Sequence, residues 1–171
     1  NLSYARFCMS GGDHLRAAEL LVRSLELQPE DPQPAFYLNM TYRSLGRLEE
    51  ADRYARLGVK RSEEAMKSQP DNSRPAQGAA CALAALGEKE EAKRWLDRAL
   101  ELDPEDNNAL YNAACAYALI GEPDMAFDVL ERWSKSVGPE QVLWFKNDND
   151  LDPLRDHPRY RKFAEMIEAI N

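Results

Sequence analysis

Three aspartates occupy alternate positions near the end of the chain: Asp148, Asp150 and Asp152, within the stretch KNDNDLDPLRDHPRY. Alternate carboxylates are the spacing with which a calcium-binding loop begins, so these residues raise the question of a metal site. Such a loop also needs glycine at its sixth position and a bidentate glutamate at its twelfth. Pro153 and Arg159 stand there instead, and a guanidinium has no lone pair for a metal. The sequence therefore predicts no specific calcium site, no other metal and no cofactor.

Cysteine and histidine are the other residues that could do chemistry. Cys81 and Cys115 occupy equivalent positions in successive helical patterns and could face each other across a groove. Two thiols without a histidine are a weak zinc pattern, and free cysteines are mostly small buried residues. His14 and His157 lie near opposite ends of the chain, and no serine elbow, His-Glu-x-x-His pair or phosphate-binding glycine loop is present. We therefore expect that this chain is not an enzyme by itself.

The bulk composition limits the partners. With 171 residues, of which 44% are hydrophobic and 30% charged, the chain is long enough to fold around its own core. Its net charge of −8 would repel a phosphate backbone or an anionic membrane, so we expect neither nucleic acid nor membrane as a partner. No apolar run approaches the roughly 20 residues of a membrane span. Three cysteines without a Cys-x-x-Cys pair favour reduced thiols and a cytoplasmic location.

A period of 34 residues positions these side chains. Gly12 and Gly46 are 34 residues apart, and so are Gly87 and Gly121. Each of these glycines is followed five residues later by an alanine, and prolines recur in the same frame. The alanines and prolines are Ala17, Ala51, Ala92, Ala126, Pro29, Pro70 and Pro104. Self-similarity with this period is typical of an architecture built from repeated pairs of helices.

Each unit consists of a helix, a glycine turn, a second helix and a proline turn. Stretches such as AFYLNMTYRSLG end at a glycine, which accepts the left-handed conformation at a helix C-terminus. Second helices such as KEEAKRWLDRALELDP begin with acidic residues that suit the helix dipole, and they end before a proline. A pair of this length cannot bury its apolar face alone, so the pairs must stack. The predicted fold is all-α: a solenoid of four helix-turn-helix repeats with a helical C-terminal cap.

One interval between glycines is longer than the others. Gly46 and Gly87 are 41 residues apart, seven more than the period, and seven residues make almost two turns of α-helix. We place the additional turns in the second helix of the second repeat, roughly Leu48 to Lys67, where they keep the inward face in phase. The predicted domains are the repeats in residues 1–138 and the cap in residues 139–171. The repeats cover about residues 1–31, 32–72, 73–106 and 107–138.

The repeat units resemble the tetratricopeptide repeat family. Aromatic, Gly, Ala and Pro residues stand where the family signature has them, at Tyr42, Gly46, Ala51, Ala99, Pro104, Tyr117, Gly121 and Ala126. The resemblance covers about residues 1–138 and implies a right-handed solenoid that binds proteins or peptides. The sequence departs from the signature at Cys8 and Leu83, where Tyr is usual, and at Trp133, where a small residue is usual. A tryptophan at that close-packing position leaves no room for an ordinary fifth repeat.

Residues after Gly138 are predicted to cap the solenoid. Three short helical patterns, PEQVLWFK, DPLRD and HPRYRKFAEMIEAI, each have a proline near the first helical position. We interpret Asp148, Asp152 and Asp156 as residues that cap these helices or suit their dipoles. A solenoid must cover its terminal apolar face. The side chains available for this are Trp144, Phe145, Leu151, Leu154, Tyr160, Phe163, Met166 and Ile167.

Exposed positions on the first helix of each pair are predicted to line a concave ligand groove. The expected groove residues are Arg6, Gln33, Phe36, Tyr37, Met40, Arg43, Arg74, Gln77, Tyr111, Asn112 and Cys115. Aromatic, methionine and arginine side chains are typical of binding surfaces, although some of the aromatic residues could instead pack only between repeats. A basic, aromatic groove would favour an extended peptide that carries carboxylates. The Lys and Asn set of the chaperone-binding branch is not present apart from Asn112, so we expect no chaperone-tail ligand.

The last half of the chain has a more specific resemblance. LYNAACAYALIGEPDMAFDVLERW, followed by DNDLDPLRDHPRY, resembles the C-terminal repeat array of bacterial class III adenylate cyclases and related multidomain signalling proteins. That resemblance implies a protein-interaction domain that regulates a linked catalytic domain. The alternatives are an interaction domain of a serine/threonine kinase or a winged-helix regulator, and a self-association scaffold that forms a homodimer. The chain begins with Asn rather than Met, so we expect a piece of a longer polypeptide.

Overall fold

The computed structural model describes residues 2–169 as a stack of helices, with no strand among them. The α-helices are α1 (Leu2–Ser10), α2 (His14–Leu27), α3 (Gln33–Ser44), α4 (Leu48–Ser68), α5 (Ser73–Ala85), α6 (Lys89–Leu102), α7 (Asn107–Ile120), α8 (Pro123–Trp133), α9 (Pro139–Asn147) and α10 (Pro158–Glu168). Short 3-10 helices at Ser134–Ser136 and Asn149–Leu154 flank α9. In this part of the chain no helix is both long and apolar enough to span a membrane. The predicted all-α solenoid of four helix pairs with a helical cap is confirmed.

The turn inside each repeat depends on a glycine with positive φ. Gly46 has a φ of 71°, a left-handed conformation that is strained for residues with a Cβ atom. The chain can then turn back so that Arg47 N donates to the carbonyl of Tyr42 at 2.8 Å. The equivalent glycines have similar φ angles: Gly12 at 79°, Gly87 at 77° and Gly121 at 83°. All four helix pairs are therefore joined by the same turn.

Successive repeats approach one another through mostly small residues on their first helices. At one register position α3, α5 and α7 carry Leu38, Ala79 and Ala113, and all three are fully buried. The next turn carries Thr41, Ala82 and Ala116, which are at most 1% exposed. Alanine lets two helix backbones approach closely, whereas longer side chains hold them apart. Buried clusters overlap along the stack as a result, from α1 to α4, from α3 to α6, and from α5 to the cap.

The second repeat is larger than the others because of α4. This helix has 21 residues, seven more than the 14 residues of α2 and of α6. The difference equals the excess in the interval between Gly46 and Gly87. In the additional part of α4, Arg61 Nη1 donates to the backbone carbonyl of Asp31, which lies before α3, at 3.3 Å.

Two helical glycines make room for one phenylalanine ring. Phe36 of α3 is 9% exposed, and its ring lies against Gly58 of α4 and Gly78 of α5. A Cβ atom on Gly58 would come within 2.5 Å of the ring, and one on Gly78 would come within 2.1 Å. Both distances are far below van der Waals contact. The α3, α4 and α5 helices therefore pack around Phe36 only because neither position has a side chain.

Aromatic residues join the cap to the last repeat. Trp133, at the end of α8, is 2% exposed, and its ring centroid lies 5.0 Å from that of Tyr111 and 6.1 Å from that of Phe145. Seven of the expected cap residues pack in this core: Phe145, Leu151, Leu154, Phe163 and Ile167 are buried, and Trp144 and Tyr160 are partly buried. Met166 is 45% exposed, so the expectation that it covers the terminal face is wrong.

The aspartates of the cap have different roles from one another. Asp148 caps the 3-10 helix, since its Oδ1 accepts from Asp150 N at 3.0 Å. Asp152 lies within that helix, where its charge suits the dipole. The expectation for Asp156 is wrong, because the residue that caps α10 is His157, whose Nδ1 accepts a backbone N–H at 3.3 Å. Proline at the first position of α10 fixes the helix start one residue later than expected.

We expect Gly78→Ala to lower the free energy of unfolding by about 1 to 3 kcal/mol, because the methyl group must displace the Phe36 ring within a packed core. The same change in an open helix interior would stabilise the protein by about 1 kcal/mol, so the sign of the effect is diagnostic. Chemical unfolding followed by circular dichroism measures it. Gly11→Ala is the matched control, since a Cβ there would meet only carbonyl oxygens at 3.5 and 3.7 Å. A Gly78→Ala variant as stable as the wild type would contradict this packing.

Candidate ligand groove

The first helices of the repeats and the cap surround a cavity of about 310 Å³ on the concave face. Helices α1, α3, α5 and α7 form most of its lining, and α9 with the following 3-10 helix forms the rest. Ten of the eleven residues expected from the sequence line this cavity: Arg6, Gln33, Phe36, Tyr37, Met40, Arg74, Gln77, Tyr111, Asn112 and Cys115. Their role in ligand binding is still a prediction.

Several lining residues were not expected from the sequence. They include Asn39, Cys81, Asn107, Asn108, Trp133, Glu140, Gln141, Trp144 and Asp150. Asn108 is the register equivalent of Gln33 and Arg74, so the repeat pattern contains a signal for it. The residues from α9 and the 3-10 helix lie outside the repeats, and no period indicates them.

Residues 144–150, which we call the tail, lie across the concave face. Asp148 is buried, and its Oδ2 accepts from the Tyr111 hydroxyl at 2.9 Å and from Trp144 Nε1 at 3.1 Å. Its Oδ1 accepts from the backbone N–H of Asp150. A buried carboxylate needs such donors in place of water. Asp148 therefore fixes the tail against α7.

The tail also reaches the first two repeats. Asn147 Nδ2 donates to the carbonyl of Ser10 in α1 at 3.0 Å, and Asn149 Nδ2 donates to Ser44 Oγ in α3 at 3.1 Å. A second cavity, of about 20 Å³, lies beneath these contacts. A ligand therefore cannot extend along the whole concave face unless the tail is displaced.

Arg43 binds the tail and does not line the 310 Å³ cavity. Its Nη1 forms an ion pair with Oδ1 of Asp150, and the Asp150 side chain is 6% exposed. Removal of one partner from such a pair would leave a buried charge without compensation. The expectation that Arg43 serves a groove ligand is therefore corrected, because its partner is the protein's own carboxylate.

The two buried carboxylates of the tail share one cation. Burial and the Asp148 charge raise the pKa of Asp150 to about 7, although Arg43 opposes this shift. Burial also raises the pKa of Asp148, against the hydrogen bonds from Asp150 N, Tyr111 and Trp144. Because two carboxylates lie beside a single guanidinium, the pair retains a proton at higher pH than exposed aspartates do.

The groove cysteines are held as thiols. Burial raises the pKa of Cys115, and the Asp148 carboxylate adds to the shift. Burial likewise raises the pKa of Cys81, whose Sγ donates to the carbonyl of Asn112 at 3.1 Å. The thiolate is the form that attacks substrates and binds zinc. These two cysteines are therefore weakly polar lining residues.

Cys115, Asp148 and Asp150 bring potential ligand atoms within 4.8 Å of one another. Their other contacts do not fit a metal site. Asp148 already accepts from a hydroxyl, an indole and a backbone N–H, and Asp150 pairs with Arg43. A cation would have to displace these donors and lie beside a guanidinium. The absence of a metal site remains a prediction.

Four residues form one edge of the large cavity, which we call the arginine corner: Arg6, Gln33, Tyr37 and Arg74. Cζ of Arg6 lies 5.9 Å from the ring centroid of Tyr37 and 5.8 Å from that of Trp144. Burial raises the pKa of Tyr37, while the charges of Arg6 and Arg74 oppose this shift, so both guanidiniums are near the hydroxyl. Within residues 2–169, no ion pair involves Arg6 or Arg74.

The helix pairs and their concave face define a helical solenoid of the tetratricopeptide type. A family model described as tetratricopeptide repeat matches residues 77–106, which include most of α5 and all of α6. No match was found among curated proteins. The tetratricopeptide fold is a non-catalytic scaffold fold, and none of these comparisons indicates an enzyme.

Two solved structures have a similar fold. A crystal structure from Podosopora anserina, described as a kinesin light chain with nearly identical TPR-like repeats, is 19% identical with a TM-score of 0.51. The match covers 98% of this chain and 92% of that one. The crystal structure of MamA is 16% identical with a TM-score of 0.51, and the match covers 96% of this chain and 92% of that one. At these identities the likeness establishes the fold alone.

We expect the stability contributed by Asp150 to fall as pH rises from about 5 to about 8, because its folded-state pKa lies above the unfolded value. The folded protein holds a proton there that the unfolded chain has already lost, so protonation favours folding. Melting temperatures of wild type and Asp150→Asn across this range measure the effect. The variant should show a weaker dependence, whatever its absolute stability. Asp152→Asn, at an exposed position, should behave as wild type, and identical slopes in all three proteins would contradict the assignment.

Proposed function

We propose that this chain is a protein-interaction scaffold that binds a peptide segment of a partner protein in its concave cavity. The observation that supports this most directly is the set of side-chain amides and aromatic rings around the 310 Å³ cavity. Helices and the docked tail carry these groups. Binding would therefore require little ordering of the protein, which favours affinity.

The lining chemistry suits a peptide backbone. Each carboxamide offers both a donor and an acceptor, as a peptide group does. Seven carboxamides line the cavity: Gln33, Asn39, Gln77, Asn107, Asn108, Asn112 and Gln141. Among the described residues, the side chains of Gln33 and Asn108 make no hydrogen bond, so they are free for a ligand. Phe36, Tyr37 and Trp144 add apolar contact area.

The partner in this proposal is a protein or peptide in the cytoplasm, and a linked catalytic domain is the first candidate. The resemblance of the last half of the sequence to class III adenylate cyclase arrays favours a cyclase. A serine/threonine kinase and a winged-helix regulator are the alternatives. The comparisons with known proteins add nothing to the cyclase link, which depends on that resemblance alone.

Selection of short displayed peptides on the immobilised chain tests peptide binding. We expect enriched peptides whose affinity, measured by fluorescence polarisation, falls about threefold to tenfold in Gln33→Ala and in Asn108→Ala, the loss of one hydrogen bond each. Gln28→Ala is the matched control, because Gln28 is an exposed carboxamide after α2 and outside the cavity. Peptide binding that is unaffected by both cavity variants would contradict the proposal.

Self-association is a second candidate, and the exposed face of α1 favours it. Tyr4 is 54% exposed and Phe7 is 71% exposed, although their register equivalents in α3, α5 and α7 are buried against the preceding repeat. At the other end of the stack, α10 packs on α8, where Arg159 pairs with Asp128 and Glu131. Two copies could therefore join only through their α1 faces, which gives a closed two-fold dimer.

Sedimentation equilibrium over a range of concentrations tests the dimer. The average mass of the wild type should rise with concentration, and Phe7→Lys should abolish the rise by placing a charge in the apolar contact. Leu48→Lys is the control, since Leu48 is 62% exposed on a different helix. A wild-type mass that stays at one chain throughout would exclude this candidate.

A further inference from the structure

We infer that the peptide bound in the cavity carries an acidic side chain, and that the arginine corner binds its carboxylate. The inference rests on the proposed function, because it names the ligand chemistry of the same cavity. Three features carry it: two guanidiniums without a carboxylate, aromatic rings that hold one of them, and a free tyrosine hydroxyl.

The two guanidiniums lack acidic partners in a protein that is rich in carboxylates. The chain has 30 Asp and Glu residues against 22 Lys and Arg residues. Ten arginines of residues 2–169 form ion pairs, yet Arg6 and Arg74 do not, although both line the cavity. Arginine donates in pairs to a carboxylate with matching geometry. An acidic side chain of a ligand would supply the partner that the protein does not.

Aromatic rings hold Arg6 at the cavity before a ligand arrives. Its guanidinium carbon lies within 6 Å of the ring centroids of both Tyr37 and Trp144. Contact with ring faces leaves the N–H groups at the edge of the guanidinium free to donate. Less side-chain freedom is then lost on binding, which favours affinity.

The Tyr37 hydroxyl supplies a third donor. Burial raises its pKa above the ordinary value, so the hydroxyl keeps its proton at neutral pH. Among the described residues it has no hydrogen-bond partner, unlike Tyr111, which donates to Asp148. A hydroxyl between two guanidiniums can donate to the same carboxylate that the arginines bind.

Two carboxylates of the cavity wall restrict the charge of the ligand. Glu140 is exposed on α9, and Asp150 is buried and paired with Arg43. Both oppose a second negative charge deep in the cavity. The site therefore favours a singly charged carboxylate over a phosphate group, which carries up to two charges at neutral pH.

The test uses the full chain and a library of randomised peptides displayed on phage. Each peptide is joined to the coat protein through its C-terminus, so any selected acid is a side chain. We expect Asp or Glu in the enriched peptides. A synthetic version of the most enriched peptide, acetylated and amidated, should lose at least about tenfold in affinity for the variant R6Q/R74Q. The control variant R23Q/R53Q changes two arginines of α2 and α4 that also lack ion pairs, and it should bind as wild type.

A change in the peptide separates the carboxylate contact from any effect on folding. Replacement of the selected acid by its amide should weaken binding to the wild type by the same factor, and it should have little further effect on the R6Q/R74Q variant. Enriched peptides that lack acids, or that bind R6Q/R74Q as tightly as wild type while losing affinity for Gln33→Ala, would overturn the inference and leave the proposed function intact. A free C-terminal carboxylate that replaces the side chain without loss would also overturn it. No enrichment on any form of the chain would count against the proposed function itself.

Discussion

The close approach of successive helix pairs is the constraint on which the rest of the structure depends. A pair of helices cannot bury its apolar face alone, so each repeat is stable only against its neighbours. That contact requires small residues such as Ala79 and Ala113, and at Gly58 and Gly78 it requires the absence of a side chain. Once the backbones are this close, the same register positions of α3, α5 and α7 face the concave side.

This regularity explains why the fold and most of the cavity lining could be predicted from the sequence. The glycine turns and buried alanines repeat with a fixed period, so a residue on one first helix indicates its equivalents on the others. Phe36, Gln77 and Tyr111 form one such set, and Met40, Cys81 and Cys115 form another. The prediction used the period and not the individual residue, and it therefore held for a set of unlike side chains.

The path of the tail could not be predicted in this way. Its contacts join residues that are 137 apart, as in Asn147 with Ser10, or 107 apart, as in Asp150 with Arg43. No local pattern encodes such pairs. The alternate aspartates indicated only a metal loop or helix caps, and Arg43 indicated only a groove cation. Two buried carboxylates needed donors, and a distant arginine and tyrosine provide them.

Trp144 belongs both to the tail and to the arginine corner. Its indole N–H donates to Asp148, and its ring lies 5.8 Å from the guanidinium carbon of Arg6. A ligand that orders Arg6 therefore acts on the tail through Trp144, and by linkage the docked tail acts on the affinity for that ligand to the same extent. Because Asp148 and Asp150 are buried with their donors, the tail resists displacement, and the cavity keeps its shape before a ligand binds.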